Sequence, residues 1–198
     1  MEKFAIVIPI RNEAKRIVQF NQQLQALDVP YFFVDDGSTD DTVYLIYEHH
    51  IPCVSYYPPQ GKGFALKLGA RTVMKMDIDW ILTMDMDGFY DVAKTVEQLD
   101  TLLLFHENDT DLFVGNRLWN RYSMKWFTYY SNKLISWWIS LKAGKKLADV
   151  KCGVRLLNKK VFDLDCTDNH TKYESDVLIY ASKLNWRIKE VQIDYIGK

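Results

Sequence analysis

The sequence lacks most of the features that assign a 198-residue chain to a special class. An excess of one charge is missing: 25 Lys+Arg stand against 26 Asp+Glu, which removes support for broad polyanion binding and for a nucleic-acid partner. Cysteine is scarce. Cys53, Cys152 and Cys166 form no C-x-x-C pair and leave one thiol over in any disulfide scheme, so a reducing, cytoplasmic setting is the expectation. No stretch approaches the ~20 apolar residues a spanning helix needs. Residues 1–10 are apolar too briefly for a signal segment before Arg11-Asn12-Glu13 begins. Any membrane contact is therefore expected to be peripheral, on the inner face. Internal repeats, low-complexity tracts and linkers are also absent, which predicts a single domain over 1–198. His49, His50, His106 and His170 show no metal-ligand spacing and read as surface or loop residues.

What is present is a globular composition, 48% hydrophobic and 26% charged. Residues 4–10 form a β-rich apolar run. A helical pattern over 14–27, a strand at 31–34, a helix from near Asp41, a strand at 54–57, a helix over 64–76 and a strand at 80–84 follow. Three βα units and a fourth strand in succession predict an α/β fold with a mainly parallel central sheet flanked by helices. The later chain is less regular: a fifth strand at 112–114, a long aromatic helix over 125–141, a strand at 154–157, a helix over 174–184 and a last strand at 188–193.

In open parallel sheets, ligands lie beyond the carboxyl ends of the strands. Three polar clusters fall there: Arg11-Asn12-Glu13, Asp35-Asp36-Gly37-Ser38 and Asp85-Met86-Asp87. Two carboxylates one residue apart repel each other unless a proton or cation sits between them. Magnesium or manganese fits, because hard cations take oxygen ligands and share them with phosphates; a solvated acidic turn is the plain alternative. Asp35 and Asp36 read either as parts of a capped turn or as acceptors for a base or ribose. Gly61-Lys62-Gly63 opens a helix and presents backbone N–H groups and a lysine to phosphate, although the spacing is not that of a P-loop.

Taken in order, Ile8-Pro9-Ile10-Arg11-Asn12-Glu13, Val34-Asp35-Asp36-Gly37-Ser38, Gly61-Lys62-Gly63, Asp85-Met86-Asp87, Gly115-Asn116-Arg117 and Asp149-Val150-Lys151-Cys152-Gly153-Val154-Arg155 resemble the inverting glycosyltransferases of family 2, with the GT-A (Rossmann-like) fold. The resemblance is strongest to the dolichol- and polyprenyl-phosphate sugar synthases. It implies a nucleotide-diphosphate sugar as donor, a lipid phosphate or glycan as acceptor, and a divalent metal as cofactor. It implies a nucleotide-sugar-binding half at 1–115 and an acceptor-side half at 116–198. Pro9, Arg11, Glu13, Asp35, Asp36, Lys62 and Asp85 would bind the donor, and Asp85 and Asp87 the metal. Arg117, Asn132 and Arg155 would face an acceptor phosphate; Asp87, Arg117 and Asp176 would be catalytic. Glu174, beside Asp176, is the second candidate base for a hydroxyl acceptor. Two positions depart from the family: Arg11 stands where an aromatic residue is usual, and Phe89 where the relatives have a polar side chain.

Two rival readings are set against this one. Leu82-Thr83-Met84-Asp85-Met86-Asp87-Gly88 imitates the nucleophile motif of haloacid dehalogenase-type phosphatases, but that motif normally opens its fold. A non-catalytic nucleotide-binding domain is the other, suggested by the two departures. In the helix over 125–141, Trp126, Phe127, Tyr130, Leu134, Trp137, Trp138 and Leu141 share one broad face at helical spacing, with Lys125, Lys133, Lys142, Lys145 and Lys146 around it. Such a face over 125–146 suits a membrane interface carrying anionic lipid, or equally a core or an oligomer contact.

Overall fold

The computed structural model describes residues 4–86, 90–106, 109–161 and 173–194. Strand β1 (Phe4–Ile10) is a run of apolar residues buried on both faces, as expected of a strand at the centre of a parallel sheet. It pairs in parallel with β2 (Tyr31–Asp35) on one side and β4 (Trp80–Thr83) on the other, and β2 pairs in parallel with β3 (Cys53–Ser55). The sheet continues through β6 (Arg155–Asn158), antiparallel to both β4 and β5 (Leu112–Asn116), and ends with β7 (Ile188–Gln192) parallel to β5. The order is β3-β2-β1-β4-β6-β5-β7, so strands from both halves of the sequence build one sheet.

The two-residue period of the strands divides the core into two layers. Ile6, Ile8, Leu82 and Leu156 face α1 (Ile17–Gln25), α2 (Thr42–Glu48) and α4 (Val92–His106), which contribute Phe20, Leu24, Ile46, Leu99 and Leu103. Ala5, Val7, Ile81 and Leu157 face α3 (Lys62–Val73) and α6 (Tyr173–Lys183) through Leu66, Ala70, Val177 and Leu178. Helix α3 approaches β1 and β2 closely at Gly69, where an added Cβ would lie 2.4 Å from Val7 Cγ1 and 2.8 Å from Val34 Cγ2. The helix that opens on Gly61-Lys62 is thereby seated against the sheet.

Sequence reading assigns no element between β4 and β5, yet α4 occupies fifteen residues there. Its signal is present: Val92, Val96, Leu99 and Leu103 recur on one face, and the Lys94 N–H donates to Asp91 Oδ1 at 3.0 Å as a cap. Helix α5 (Trp126–Ala143) forms where the aromatic pattern predicts it and ends at Gly144, whose φ of 66° is left-handed. Only Ser136 and Ala143 of this helix are buried, which rules out the core-helix reading.

Candidate active site

The strand order reverses at β1, which has β2 on one flank and β4 on the other. In open sheets of this kind a ligand crevice lies beyond the carboxyl ends of the strands at such a point. A cleft of about 340 Å³ occupies it, lined by Pro9, Ile10, Arg11, Glu13, Asp36, Lys62, Asp85 and Met86. Six donor-site candidates of the sequence therefore share one wall. Asp35 does not reach it: its carboxylate is buried in the turn, accepting from the Ser38 N–H at 3.2 Å and from the Ser38 hydroxyl. A larger cavity of about 610 Å³ lies under α5, but its lining contains no carboxylate. Size alone does not mark the chemistry.

Local hydrogen bonds fix the cleft's edges. Asn12 is left-handed (φ 55°); its N–H donates to Ser38 Oγ at 2.8 Å, and its Oδ1 accepts from the Thr39 N–H at 2.8 Å, tying the β1 loop to the β2 loop. The Glu13 N–H donates to Thr42 Oγ1, while the Glu13 carboxylate accepts from Arg16 Nε at 2.8 Å. Asp36 Oδ1 accepts from the Tyr56 hydroxyl and the Gln60 N–H, both at 2.7 Å, and from the Gly61 N–H at 3.0 Å. This carboxylate holds the turn in which Gly61 takes a φ of 94° before α3 begins. Burial, and then the bond to Asp36, push the Tyr56 phenol above its ordinary range.

Behind Lys62 and Asp85 of the cleft lies Glu174, and three charges meet there. Lys62 Nζ lies 2.5 Å from Asp85 Oδ1 and 2.5 Å from Glu174 Oε1. Burial works against the Lys62 ammonium, but the two carboxylates outweigh it and raise its pKa. Glu174 shows the converse: burial opposes its charge, Lys62 and then Arg155 override burial, and its pKa is lowered. Asp85 is cradled from behind, since a Cβ on Gly153 would fall 2.1 Å from its Oδ2. Gly153 is pinned by the Thr83 hydroxyl, which donates to its carbonyl at 3.1 Å. Arg155 is buried and donates to the carbonyls of Cys152 (3.1 Å), Val150 (2.8 Å) and Glu174 (2.6 Å), joining the Gly153 segment to the start of α6.

The remaining candidates fall elsewhere or into braces. Arg117 is buried beside Asp149, with Nε donating at 2.8 Å, the second guanidinium nitrogen at 3.0 Å and its own N–H at 3.0 Å. Burial opposes the Arg117 charge, and the bonds to Asp149 more than restore it, so its pKa is raised. Asn132 lies half-buried on the second turn of α5 and Asp176 half-buried in the first turn of α6. Asp87 and Phe89 lie outside the described residues. Cys152 is fully buried, and burial pushes its thiol up to about 12, which removes a thiolate from neutral chemistry.

Two observations bear on whether Asp85 could take a divalent cation. The Lys62 ammonium already stands against its carboxylate as a cation does, and Gly153 leaves the space in which that carboxylate sits. Among the described residues no group of three or more His, Cys, Asp or Glu could hold a metal. Asp85 would then be one oxygen ligand among others from phosphate, water and Asp87, a set in keeping with magnesium or manganese. The sequence reading gives no site role to Gly153, Thr83, Tyr56 or Asn12, although Gly153, Thr83 and Asn12 stand inside the motifs it quotes. The tight Asp149 to Arg155 motif was the available signal for the first.

The family profile described as glycosyl transferase family 2 matches residues 5–163. Among curated proteins, the chain is 25% identical over 202 residues to a low-salt glycan biosynthesis hexosyltransferase of Haloferax volcanii, covering 96% of this chain and 47% of that protein. The chain thus spans about half the length of that relative. An uncharacterized glycosyltransferase of Mycobacterium tuberculosis is 24% identical over 201 residues, covering 96% of this chain and 84% of that protein. Among solved structures, glucosyl-3-phosphoglycerate synthase from Mycobacterium tuberculosis, in complex with Mn2+, UDP and glucosyl-3-phosphoglycerate, superposes with a TM-score of 0.74 at 19% identity. That match covers 99% of this chain and 70% of the synthase, which has also been crystallised with Mg2+ and UDP and with Mn2+ and UDP-glucose. The fold is that of the GT-A glycosyltransferases. With Asp85 after the fourth strand of the chain rather than the first, the phosphatase reading is not favoured.

Proposed function

Because the chain belongs to glycosyltransferase family 2, we propose that it moves a sugar from a nucleotide-diphosphate donor to an acceptor, with inversion at the anomeric carbon. One observation carries the reading: Pro9, Arg11, Glu13, Asp36, Lys62 and Asp85 converge on a single cleft at the reversal point of the sheet. Support for the donor class comes from the synthase structures that hold UDP or UDP-glucose with Mn2+ or Mg2+. Pro9, Arg11 and Glu13 flank the nucleotide in this reading. Asp36 reads the ribose or base through Oδ2, because Oδ1 already accepts three bonds. Lys62 meets the diphosphate, and Asp85 with Asp87 holds the metal. A bound Mg2+ or Mn2+ supplies positive charge where the leaving diphosphate gains negative charge.

The acceptor is assigned from the other half of the chain. An acceptor phosphate is already ionised and needs no base; a sugar hydroxyl needs one. Of the two candidates on α6, Glu174 pairs with Lys62 of the cleft, whereas Asp176, two positions on, lies roughly 200° around the helix. Arg117 and Arg155 act on the acceptor side by ordering the 149–153 segment, and Asn132 remains the acceptor-phosphate candidate on α5. Between 116 and 148 every charged residue is Lys or Arg, in a chain of net charge −1. On the same stretch Trp126 and Phe127 are each 71% exposed and Trp137 and Trp138 more than half. No helix among the described residues is long and apolar enough to cross a membrane. A basic, aromatic helix of this kind fits an anionic lipid surface, where a polyprenyl phosphate would be presented.

The test is a parallel trial of nucleotide sugars and phosphate esters with Mn2+. Sugar transfer with release of nucleoside diphosphate is expected. Inorganic phosphate released from an ester without sugar transfer would overturn the assignment, and nucleotide binding without turnover would favour a binding domain.

A further inference from the structure

Asp85 is asked to hold a dication, yet its Oδ1 is already in contact with an ammonium. Lys62 sits between Asp85 and Glu174 at 2.5 Å from each, so it occupies the volume a cation would take on that oxygen. Its backbone cannot retreat: Lys62 opens α3, which Gly69 seats directly on Val7 and Val34, and the preceding Gly61 is held by both oxygens of Asp36. Only the side chain can move. Glu174 is equally fixed, because Arg155 donates to its carbonyl and it lies in the first turn of a packed helix.

From this geometry we infer that Lys62 is a built-in countercation that competes with the metal for Asp85 and gives way when a nucleotide diphosphate arrives. The inference rests on the donor-site reading above. Without nucleotide, the Lys62 charge neutralises Asp85 and repels an incoming dication across a few ångströms. With nucleotide, the diphosphate gives the ammonium a second anionic partner within reach of Glu174, which keeps the side chain anchored. Lys62 then swings from carboxylate to phosphate, and Asp85 becomes available. The charges nearly balance: Lys62, Asp85 and Glu174 sum to −1, and the site keeps that charge when a dication enters with the two negative charges of a nucleotide-sugar diphosphate, while free UDP, once fully ionised, brings one negative charge more. Metal and nucleotide therefore bind with strong mutual dependence, and the bare protein is protected from holding metal alone.

The experiment measures Mn2+ binding by the paramagnetic resonance signal of free Mn2+, with and without UDP, for the wild type, Lys62→Met, Glu174→Gln and Asp85→Asn. Circular dichroism confirms that each variant is folded. Wild type should bind Mn2+ weakly alone and at least tenfold more tightly with UDP. Lys62→Met should bind Mn2+ alone about tenfold or more tightly than wild type, from the removal of one positive charge at contact distance, and should lose most of the dependence on UDP. Glu174→Gln should weaken binding of the metal alone, since Lys62 is left with Asp85 as its partner. Equal affinity of wild type and Lys62→Met for Mn2+ alone would overturn the inference while leaving the donor site standing. Mn2+ binding with UDP that is unchanged in Asp85→Asn would instead sink the donor-site reading itself.

Discussion

Gly153→Ala probes the site through a residue that carries no functional group. Its φ is not in the left-handed region, so alanine meets no backbone strain there; what it meets is Asp85. The new methyl would lie 2.1 Å from Oδ2, 2.3 Å from Cγ and 2.7 Å from Oδ1, all closer than real Cβ contacts allow. The 153 segment cannot yield readily, because Thr83 and Arg155 hold it by its carbonyls. The carboxylate must therefore move by about 1 Å, and a misplacement of that size costs on the order of 100-fold in rate. The stability cost should stay at the low end of the ~1–3 kcal/mol of an overpacked site, since Asp85 is partly exposed and can rotate toward the cleft. The assay is kcat/KM for nucleoside diphosphate release, together with a thermal melt. A double-mutant cycle sharpens it: in an Asp85→Ala background, Gly153→Ala should have no further effect on rate. Wild-type kcat/KM in a folded Gly153→Ala protein would refute the claim that Asp85 works from this position.

Two further expectations concern parts of the chain away from the cleft. Asp111 accepts from the Arg187 N–H at 2.9 Å and from its guanidinium at 2.9 and 3.2 Å, as well as from Lys160 at 2.5 Å. The Arg187 bonds, ahead of the opposing effect of burial, hold this carboxyl below its ordinary 3.8. Its stabilisation is therefore complete above about pH 4 and is lost as pH falls through the depressed value. Asp111→Asn should cost about 1–2 kcal/mol at pH 7, at the low end for charged hydrogen bonds because both cationic partners are half exposed. Melts should show the gap to wild type closing in acid, and a constant gap down to pH 2 would contradict the assignment. Trp137→Ala combined with Trp138→Ala should reduce co-sedimentation with phosphatidylserine-containing vesicles while leaving donor binding intact. Unchanged sedimentation would discard the lipid-facing role of α5.

The strand-end clusters were legible because position and chemistry coincide: a largely apolar run followed at once by Asp35-Asp36 or Asp85 says where a chain leaves a parallel sheet. The antiparallel insertion of β6 between β4 and β5 was not, since its four residues carry no mark of direction. Helix α4 was legible and went unassigned, as its polar residues Lys94, Glu97 and Gln98 interrupt a run whose apolar face is regular. Side-chain roles divided by what each carboxylate touches. Asp35 and Asp36 follow one another, yet one closes a turn and the other also lines the cleft, a distinction set by Tyr56, Gln60 and Gly61 twenty or more residues away. Likewise Arg117 looks like a phosphate ligand until Asp149, 32 positions on, is seen to bind it. Contacts at such separations are products of the fold, and local pattern does not contain them.

The central claim is that a nucleotide diphosphate and a divalent metal meet over Asp85 in the crevice between β1 and β4. Crystals soaked with UDP and Mn2+ test it most directly. The expected density is a diphosphate within reach of Lys62, a metal bound to Asp85, and the base between Arg11 and Asp36. A nucleotide found in the cavity under α5, or a diphosphate bound with Asp85 still paired to Lys62 and no metal beside it, would overturn the donor-site assignment.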